Sequence, residues 1–433
     1  MAVPASLRPL RHRRFATVFA AGTVSIIGTW METVAVGALV TQQTGQARWA
    51  ALVAAAAFLP LGVLGPVGGV LADRLDRRRF LVAANLVEAG LATTLAVLAA
   101  TGNASPGLVT LVVFGEGCSA ALRSPFQQAI LPDLVPSDDI LGAASLGIAQ
   151  FNIGRVVGPA LAAVVIALGS FSAAFTVNAI SFFAAVAALA VTPLPPPSRV
   201  DDGLGTVGRI RQGVRAARAE PACWSAIGLI AVAAFLLSPF IALVPAKAHA
   251  LDPAGSEKAI ARITGILTTA QGFGAVMGAL AVVPLAERFG RRRVVVGGLL
   301  GTSAALAVYG TADSVVFTTV AVMIVGVVYV GVLSGLSGTV QLRAPTAYRA
   351  RILSIFFVAL GVTYPLGALI QGAVADAIGL TATTLATGAC MVLFVVWLLV
   401  ARPERLSALD GPDPATLEPS PAAGRIPRAE PPG

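Results

Sequence analysis

Apolar runs long enough to cross a bilayer recur along the whole chain, separated by short polar breaks. Six lie at roughly Phe15 to Val40, Ala50 to Leu71, Phe80 to Thr101, Leu108 to Leu131, Ile140 to Leu168 and Phe171 to Val191. Six more lie at roughly Trp224 to Pro245, Ile260 to Leu285, Val294 to Ala312, Val315 to Val340, Ile352 to Ala375 and Leu380 to Val400. A bilayer core about 30 Å thick takes about 20 apolar residues per helix, so the pattern predicts an all-α membrane protein with twelve transmembrane helices. The breaks after Gly169 and Gly379 leave room only for helical hairpin turns.

Between the two sets, residues 192–221 open with Pro193, Pro195, Pro196 and Pro197 and continue with Arg211, Arg215 and Arg218 at helical spacing. That composition reads as a cytoplasmic linker carrying an amphipathic surface helix. Residues 403–433 are rich in Pro, Ala and charge without apolar periodicity, the pattern of a disordered tail. The expected organisation is therefore a six-helix bundle over 1–191, the linker, a second bundle over 222–402, and the tail.

Composition sharpens this picture. Of 433 residues, 56% are hydrophobic and 12% charged, against about 25% charged in soluble domains. Mean hydropathy is +0.84, which excludes an ordinary water-soluble globule. The formal charge of +9 raises nucleic acid as a partner, but the placement of the basic residues argues otherwise. Counting through the spans puts 24 Lys and Arg in loops and termini on one side and only Arg48, Lys247, Lys258 and Arg262 on the other. Basic residues collect on the cytoplasmic side, so both termini are expected there, in a bacterial inner membrane, with no nucleic-acid partner. The basic start at Arg8, Arg11, Arg13 and Arg14 precedes an apolar run that contains Glu32 and exceeds a signal peptide's core, so it reads as an uncleaved first span.

Cys118, Cys223 and Cys390 are odd in number and far apart, and His12 and His249 lie outside the spans. No disulfide framework, metal site or cofactor is expected. No nucleotide-binding loop or nucleophile constellation appears, so an enzyme is not expected.

An internal repeat is the most specific signal. Leu71-Ala72-Asp73-Arg74-Leu75-Asp76-Arg77-Arg78-Arg79 recurs ungapped as Leu285-Ala286-Glu287-Arg288-Phe289-Gly290-Arg291-Arg292-Arg293, 214 residues later. Each copy follows the second span of its half, so the two bundles are pseudo-symmetric products of a duplication. Loops that merely hold arginines do not predict the same register twice.

At this motif the chain resembles the major facilitator superfamily, whose signature G-x-x-x-D-R/K-x-G-R/K-R/K is met by Gly69, Asp73, Arg74, Arg77 and Arg78, with Asp76 replacing the second glycine. The second copy keeps Gly290, Arg288 and Arg291 but has Val283 and Glu287 in place of the first glycine and the aspartate. Read physically, Gly68 and Gly69 let the second helix approach a neighbour. Asp73 would then cap a facing helix or pair with a loop arginine, latching the halves together on the cytoplasmic side; the alternative is that these charges only anchor topology.

Ionisable groups inside spans are functional hypotheses. They are Glu32 in span 1, Glu88 in span 3, Glu116 and Arg123 in span 4, and Arg155 in span 5. Glu116 and Arg123 stand two turns apart on one face, and an antiparallel neighbour would bring Arg155 toward Glu116, with Glu32 available from span 1. Such a group is suited to proton coupling, with Glu32 and Glu116 carrying protons and Arg123 and Arg155 tuning them or contacting substrate anions. The alternative is a static pair holding span 4 against span 5. Glu88, two turns from the end of its span, is a secondary candidate able to snorkel.

Gly154, Gly158 and Pro159 match the G-x3-GP core of an antiporter motif found in superfamily exporters, with Ser145, Ala162 and Ala163 in place of its outer glycines. A small-residue packing stripe explains the same residues. The stretch Gln127, Pro136, Ile140, Ala143 to Leu146, Gly158-Pro159 and Asn178-Ala179, together with Arg349 to Ser354 and Pro365-Leu366-Gly367, resembles the enterobactin and macrolide exporter branch. That resemblance implies efflux of an amphiphilic small molecule by proton antiport with alternating access, by a monomer whose partners are lipid, substrate and protons. Lysophospholipid carriers resemble the same branch, so a lipid flippase or uncoupled facilitator is the second expectation.

Overall fold

The computed structural model describes residues 5–194, 206–346 and 348–410, without the side chains of Ala5, Asp73, Thr206, Val207 and Arg209. Pro195, Pro196, Pro197 and Arg199 of the linker, the Asp73 side chain of the latch, and the tail beyond Asp410 therefore lie outside the described residues. All regular structure among the described residues is helical. The first half holds α1 (Arg13–Thr44), α2 (Ala47–Arg74), α3 (Arg77–Ala100), α4 (Pro106–Leu134), α5 (Ile140–Leu168) and α6 (Phe171–Val191). The linker helix α7 (Thr206–Ala219) follows. The second half holds α8 (Pro221–Leu236), α9 (Phe240–Leu251), α10 (Glu257–Phe289), α11 (Arg291–Thr311), α12 (Val315–Arg343), α13 (Arg349–Ile378), α14 (Leu380–Ala401) and the short α15 (Pro403–Ser407).

Eleven helical stretches are long and apolar enough to span a membrane, with α8 and α9 together forming one, Pro221–Leu251. The twelfth crossing is α4, whose Glu116, Ser119, Arg123, Ser124, Gln127 and Gln128 dilute its apolar character. The chain thus has the twelve-helix fold. The seventh crossing breaks at Leu237 to Pro239 because Pro239 has no N–H and its ring excludes the carbonyl four residues back. The carbonyls freed at Phe235 and Leu236 accept hydrogen bonds of 2.8 and 3.1 Å from Gln371 Nε2 of α13.

Within the first half α2 packs on α4, α3 on α6, and α1 on α5 and α6; in the second, α12 packs on α10 and α11, α14 on α11, and α13 on α8. The halves meet through α2 on α13 and α5 on α10. Small residues let these helices touch. A Cβ on Gly372 would fall 2.5 Å from Ala51 Cβ, one on Gly62 2.8 Å from Val362, and one on Gly265 2.7 Å from the Pro159 carbonyl oxygen. Side chains fasten the same seam. Asp376 of α13 accepts the N–H groups of Ala47 and Arg48 at 2.7 and 3.2 Å, capping the start of α2 from the other half. Lys258 Nζ donates to the Ala167 carbonyl at 3.0 Å. The Gly372, Gly265, Asp376 and Lys258 contacts lie toward the arginine-poor ends of the helices, so the molecule is closed there, and the Gly62–Val362 approach continues the seam to mid-depth.

Three expectations are corrected. Lys247 is buried in α9 and donates to the Gly310 and Ala312 carbonyls at 2.9 and 2.7 Å, so it caps the end of α11 instead of sitting in a loop. Residues 403–410 are ordered: Leu406 and Leu409 join the second-half core, and Asp410 accepts the Arg292 N–H at 2.9 Å. A carboxylate at the first turn of α11 is a favourable helix-dipole partner, which fixes this segment. Gly69 meets nothing within 4 Å, whereas a Cβ on Gly68 would lie 2.9 Å from the Leu122 carbonyl oxygen, so of these two glycines it is Gly68 that permits the close approach of α2 to α4, as Gly117 does from the α4 side at 2.6 Å from the Ala56 carbonyl oxygen.

Candidate functional site

The buried charges of the first half converge at one depth. Glu32 is twelve residues from the end of α1 at Thr44, Glu88 twelve from the end of α3 at Ala100, and Glu116 ten from the start of α4 at Pro106. At 1.5 Å per residue each lies about 15–18 Å from the arginine-poor end. The Glu32 and Glu116 carboxyl groups are within hydrogen-bonding reach of each other, and Glu88 is close enough to act on both electrostatically. Glu32 Oε2 accepts a 2.8 Å hydrogen bond from Asn178 Nδ2 of α6, whose Oδ1 in turn accepts from Ser181 at 3.1 Å. Glu116 Oε1 is buried without a partner. A hydrogen bond between two carboxyls needs one proton between them, and losing it leaves two negative charges face to face.

Glu88 is buried, and Arg123 Nε donates to its Oε1 at 2.9 Å. It does not snorkel, because α3 packs beside α4 and presents a cation at the same depth. Arg155 is also not where the sequence suggested. α5 packs on α1 and α10 and barely meets α4, so Arg155 is carried away from Glu116 toward the other half. Its ionisable neighbours are Tyr329 of α12 and Tyr364 of α13, and it has no acidic partner among the described residues. The static α4–α5 pair is thereby excluded. Asn178 and the two tyrosines were missed as site residues; the available signal was a polar or hydroxyl-bearing side chain inside a strongly apolar run.

Gly154 and Gly158 pack on α1, where added Cβ atoms would fall 2.9 Å from Trp30 and 2.8 Å from the Ile27 carbonyl. Pro159 is buried in the same helix, and its carbonyl is met by Gly265 of α10. This motif thus stacks α5 between the two halves.

The repeated loop is built differently in its two copies. In the first, Asp76 caps α3 by accepting the Arg79 N–H at 2.9 Å, Arg77 binds Asp133 and the Ala129 carbonyl at 2.9 and 3.1 Å, and Arg78 binds the Leu189 carbonyl at 2.9 Å. All these partners belong to the first half, so Arg77 and Arg78 do not latch the halves together in this conformation. In the second copy Gly290 turns with φ of 84°, a left-handed conformation that glycine alone adopts readily. Glu287 is exposed, and neither it nor Arg291 forms an ion pair among the described residues, while Arg288 lies over the Phe289 ring at 5.3 Å.

The family of transmembrane secretion effectors matches residues 4–422. The chain belongs to this branch of the major facilitator superfamily. The members are transporters, not enzymes, and efflux proteins are among this effector's relatives. It is 27% identical over 388 residues to the multidrug efflux pump Tap of Mycolicibacterium fortuitum, covering 88% of this chain and 93% of that one. It is 25% identical over 395 residues to the uncharacterized MFS-type transporter YfiS of Bacillus subtilis, covering 89% and 92%. The match to macrolide efflux protein A of Streptococcus pyogenes is 28% identical over 182 residues, 42% of this chain and just under half (45%) of that relative. Among solved structures, a bacterial homolog of the human lysosomal transporter Spinster, in an inward-facing and unoccupied conformation, superposes with TM-score 0.70 at 16% identity over 93% of this chain and 97% of that one. The D-xylose-proton symporter superposes with TM-score 0.69 at 14% identity over 91% and 99%.

Proposed function

We propose that this effector exports an amphiphilic small molecule from the cytoplasm of a bacterium by exchanging it for protons, working as a monomer in the inner membrane with both termini cytoplasmic. The observation that carries the reading is the contact between the Glu32 and Glu116 carboxyls at mid-depth, with Glu88 close by and its own charge already met by Arg123. Two facing carboxyls on different helices hold one proton when α1 and α4 are together and shed or gain it when the helices shift. Glu32 and Glu116 are the proton carriers, while Glu88 is held in its pair with Arg123. Contacts toward the arginine-poor end support reading this conformation as the one that takes up cytoplasmic substrate from the arginine-rich side. One charge crossing ~150 mV is worth ~3.5 kcal/mol, a gradient of roughly a few hundredfold, so one proton per cycle sustains useful efflux.

The test is proton movement in inverted vesicles, followed with a pH-sensitive dye while macrolides, siderophores or lysolipids are added. Compound-dependent proton release in the native protein, lost in Glu32→Gln and Glu116→Gln, is the expected result. Movement of radiolabelled compound without any dye response overturns the antiport and leaves a flippase or facilitator.

A further inference from the structure

Arg155 has no acidic partner among the described residues. It sits thirteen residues from the end of α5 at Leu168, and Tyr364 sits fourteen from the end of α13 at Ile378. Both therefore lie about 20 Å inside the arginine-poor end. The two belong to opposite halves, at matching depth along the closed seam, with Tyr364 and Tyr329 the ionisable neighbours of Arg155. The backbone of Arg155 packs on α10, where a Cβ on Gly272 would fall 2.8 Å from its carbonyl oxygen, and toward the arginine-poor end the same two helices meet at Gly265 and, through Lys258, at Ala167. On the α2–α13 side the innermost approach, at Gly62 and Gly361, is next to Tyr364 along the chain.

Around this part of the seam the polar groups are donors left over. Tyr364 is 8% exposed and its hydroxyl is buried with no hydrogen-bond partner. The Tyr329 hydroxyl is already engaged with Ser238 at the break between α8 and α9. In the first-half cluster Glu88 pairs with Arg123 and Glu32 accepts from Asn178, and none of the three acids pairs with Arg155 among the described residues. Phe58 of α2 stands edge-on to the Tyr364 ring at 5.5 Å, giving an aromatic wall beside the unused donors. An unpaired guanidinium inside a membrane protein is costly, and a planar fork of donors beside a free hydroxyl is complementary to an oxyanion.

We propose that Arg155 and Tyr364 form a binding site for the oxyanion of the transported amphiphile, a carboxylate or phosphate whose apolar body lies against Phe58. The substrate class is therefore an anionic amphiphile, which narrows the export reading above and rests on it. Because the site takes one donor from each half, it is complete only while the arginine-poor end is closed. Opening that end draws Arg155 away from Tyr364 and dismantles the site, so the anion is released on the far side.

The experiment is equilibrium binding to the full chain in nanodiscs of zwitterionic lipid, using three probes with one fluorescent body: pyrenebutyrate, pyrenebutanol and pyrenebutyltrimethylammonium. The native protein is expected to bind the carboxylate at least tenfold more tightly than the alcohol, and the cation most weakly. Arg155→Gln removes the preference while leaving the alcohol's affinity unchanged, Arg155→Lys retains part of it, and Tyr364→Phe reduces it severalfold. Should Arg155→Gln fail to fold, as read by its melting curve, Arg155→Lys and Tyr364→Phe carry the test. A second arm adds phosphatidylglycerol to the nanodiscs: competition with pyrenebutyrate assigns the oxyanion to lipid, and its absence assigns it to a free amphiphile. Equal binding of alcohol and carboxylate, preference for the cation, or a preference that survives both Arg155→Gln and Tyr364→Phe overturns the site. Glu116→Gln is expected to keep the carboxylate preference, so loss of proton release there, or its absence in the native protein, tests antiport without touching this site.

Discussion

The two halves share a fold and a repeated loop but not a chemistry. Inside its spans the first half carries Glu32, Glu88, Glu116, Arg123 and Arg155, whereas the acids of the second half, Asp252, Glu257, Glu287, Asp313, Asp376 and Glu404, all lie at helix ends. The buried polar groups of the second half are hydroxyls and amides, among them Ser238, Thr264, Gln271, Thr302, Thr318 and Gln371, plus Lys247 on a helix terminus. Neutral groups hydrogen-bond within a helix or to a broken helix and keep one state; ionisable groups have two. On the proposed antiport, the duplication left one half to switch and the other to supply a frame against which the switch is read.

The sharpest way to break this contrast is to unpair a charge in the first half. Arg123→Ala leaves Glu88 buried without its cation and is expected to cost about 3–5 kcal/mol, seen as a lowered melting temperature in detergent. The double variant Glu88→Gln with Arg123→Gln recovers most of that loss, since two neutral groups replace a stranded charge. A double variant no more stable than Arg123→Ala removes the ion pair from the account.

Packing offers the next comparison, within one motif. Gly68→Ala pushes a methyl group onto the Leu122 backbone and is expected to cost about 1–3 kcal/mol, while Gly69→Ala, which meets open space, leaves the melting temperature unchanged or slightly raises it. Equal effects at the two positions show that the helix contact at Gly68 is not what the motif protects.

The smallest effect belongs to the frame. Lys247→Met removes the cation from the end of α11 and frees the Ala312 carbonyl, while Gly310 keeps its bond from Thr381 at 2.8 Å. A loss of about 1 kcal/mol is expected, with proton release per transported molecule unchanged. A change in that ratio moves Lys247 into the coupling machinery and erases the division between the halves.

How much of this was legible follows the same physics. Span count and duplication are properties of one chain segment at a time, run length and register, and Leu71 to Arg79 against Leu285 to Arg293 displays them without knowledge of neighbours. Membership of the site depends on helix pairing. Glu88 finds Arg123 because α3 lies beside α4, and Arg155 leaves Glu116 because α5 lies against α10; neither pairing is written in the spacing of either helix. The exchange of Asp76 for Gly290 is legible only afterwards: a side-chain cap in one loop and a left-handed turn in the other reach the same corner by different routes.

The cap that Asp376 places on α2 has a kinetic consequence. α13 is bound to α8 through Gln371, and its polar tie to the opposite half is one carboxylate on two N–H groups at a water-facing end. Water competes for those donors as soon as they part, so the net strength of such a clasp is about 1–2 kcal/mol. A clasp of that size favours the closed form over the open one by roughly fivefold to thirtyfold, and a bound ligand reverses the ratio with a comparable preference for the open form. The outer end is a detent: strong enough to set a resting position, weak enough that every cycle passes through it without stalling.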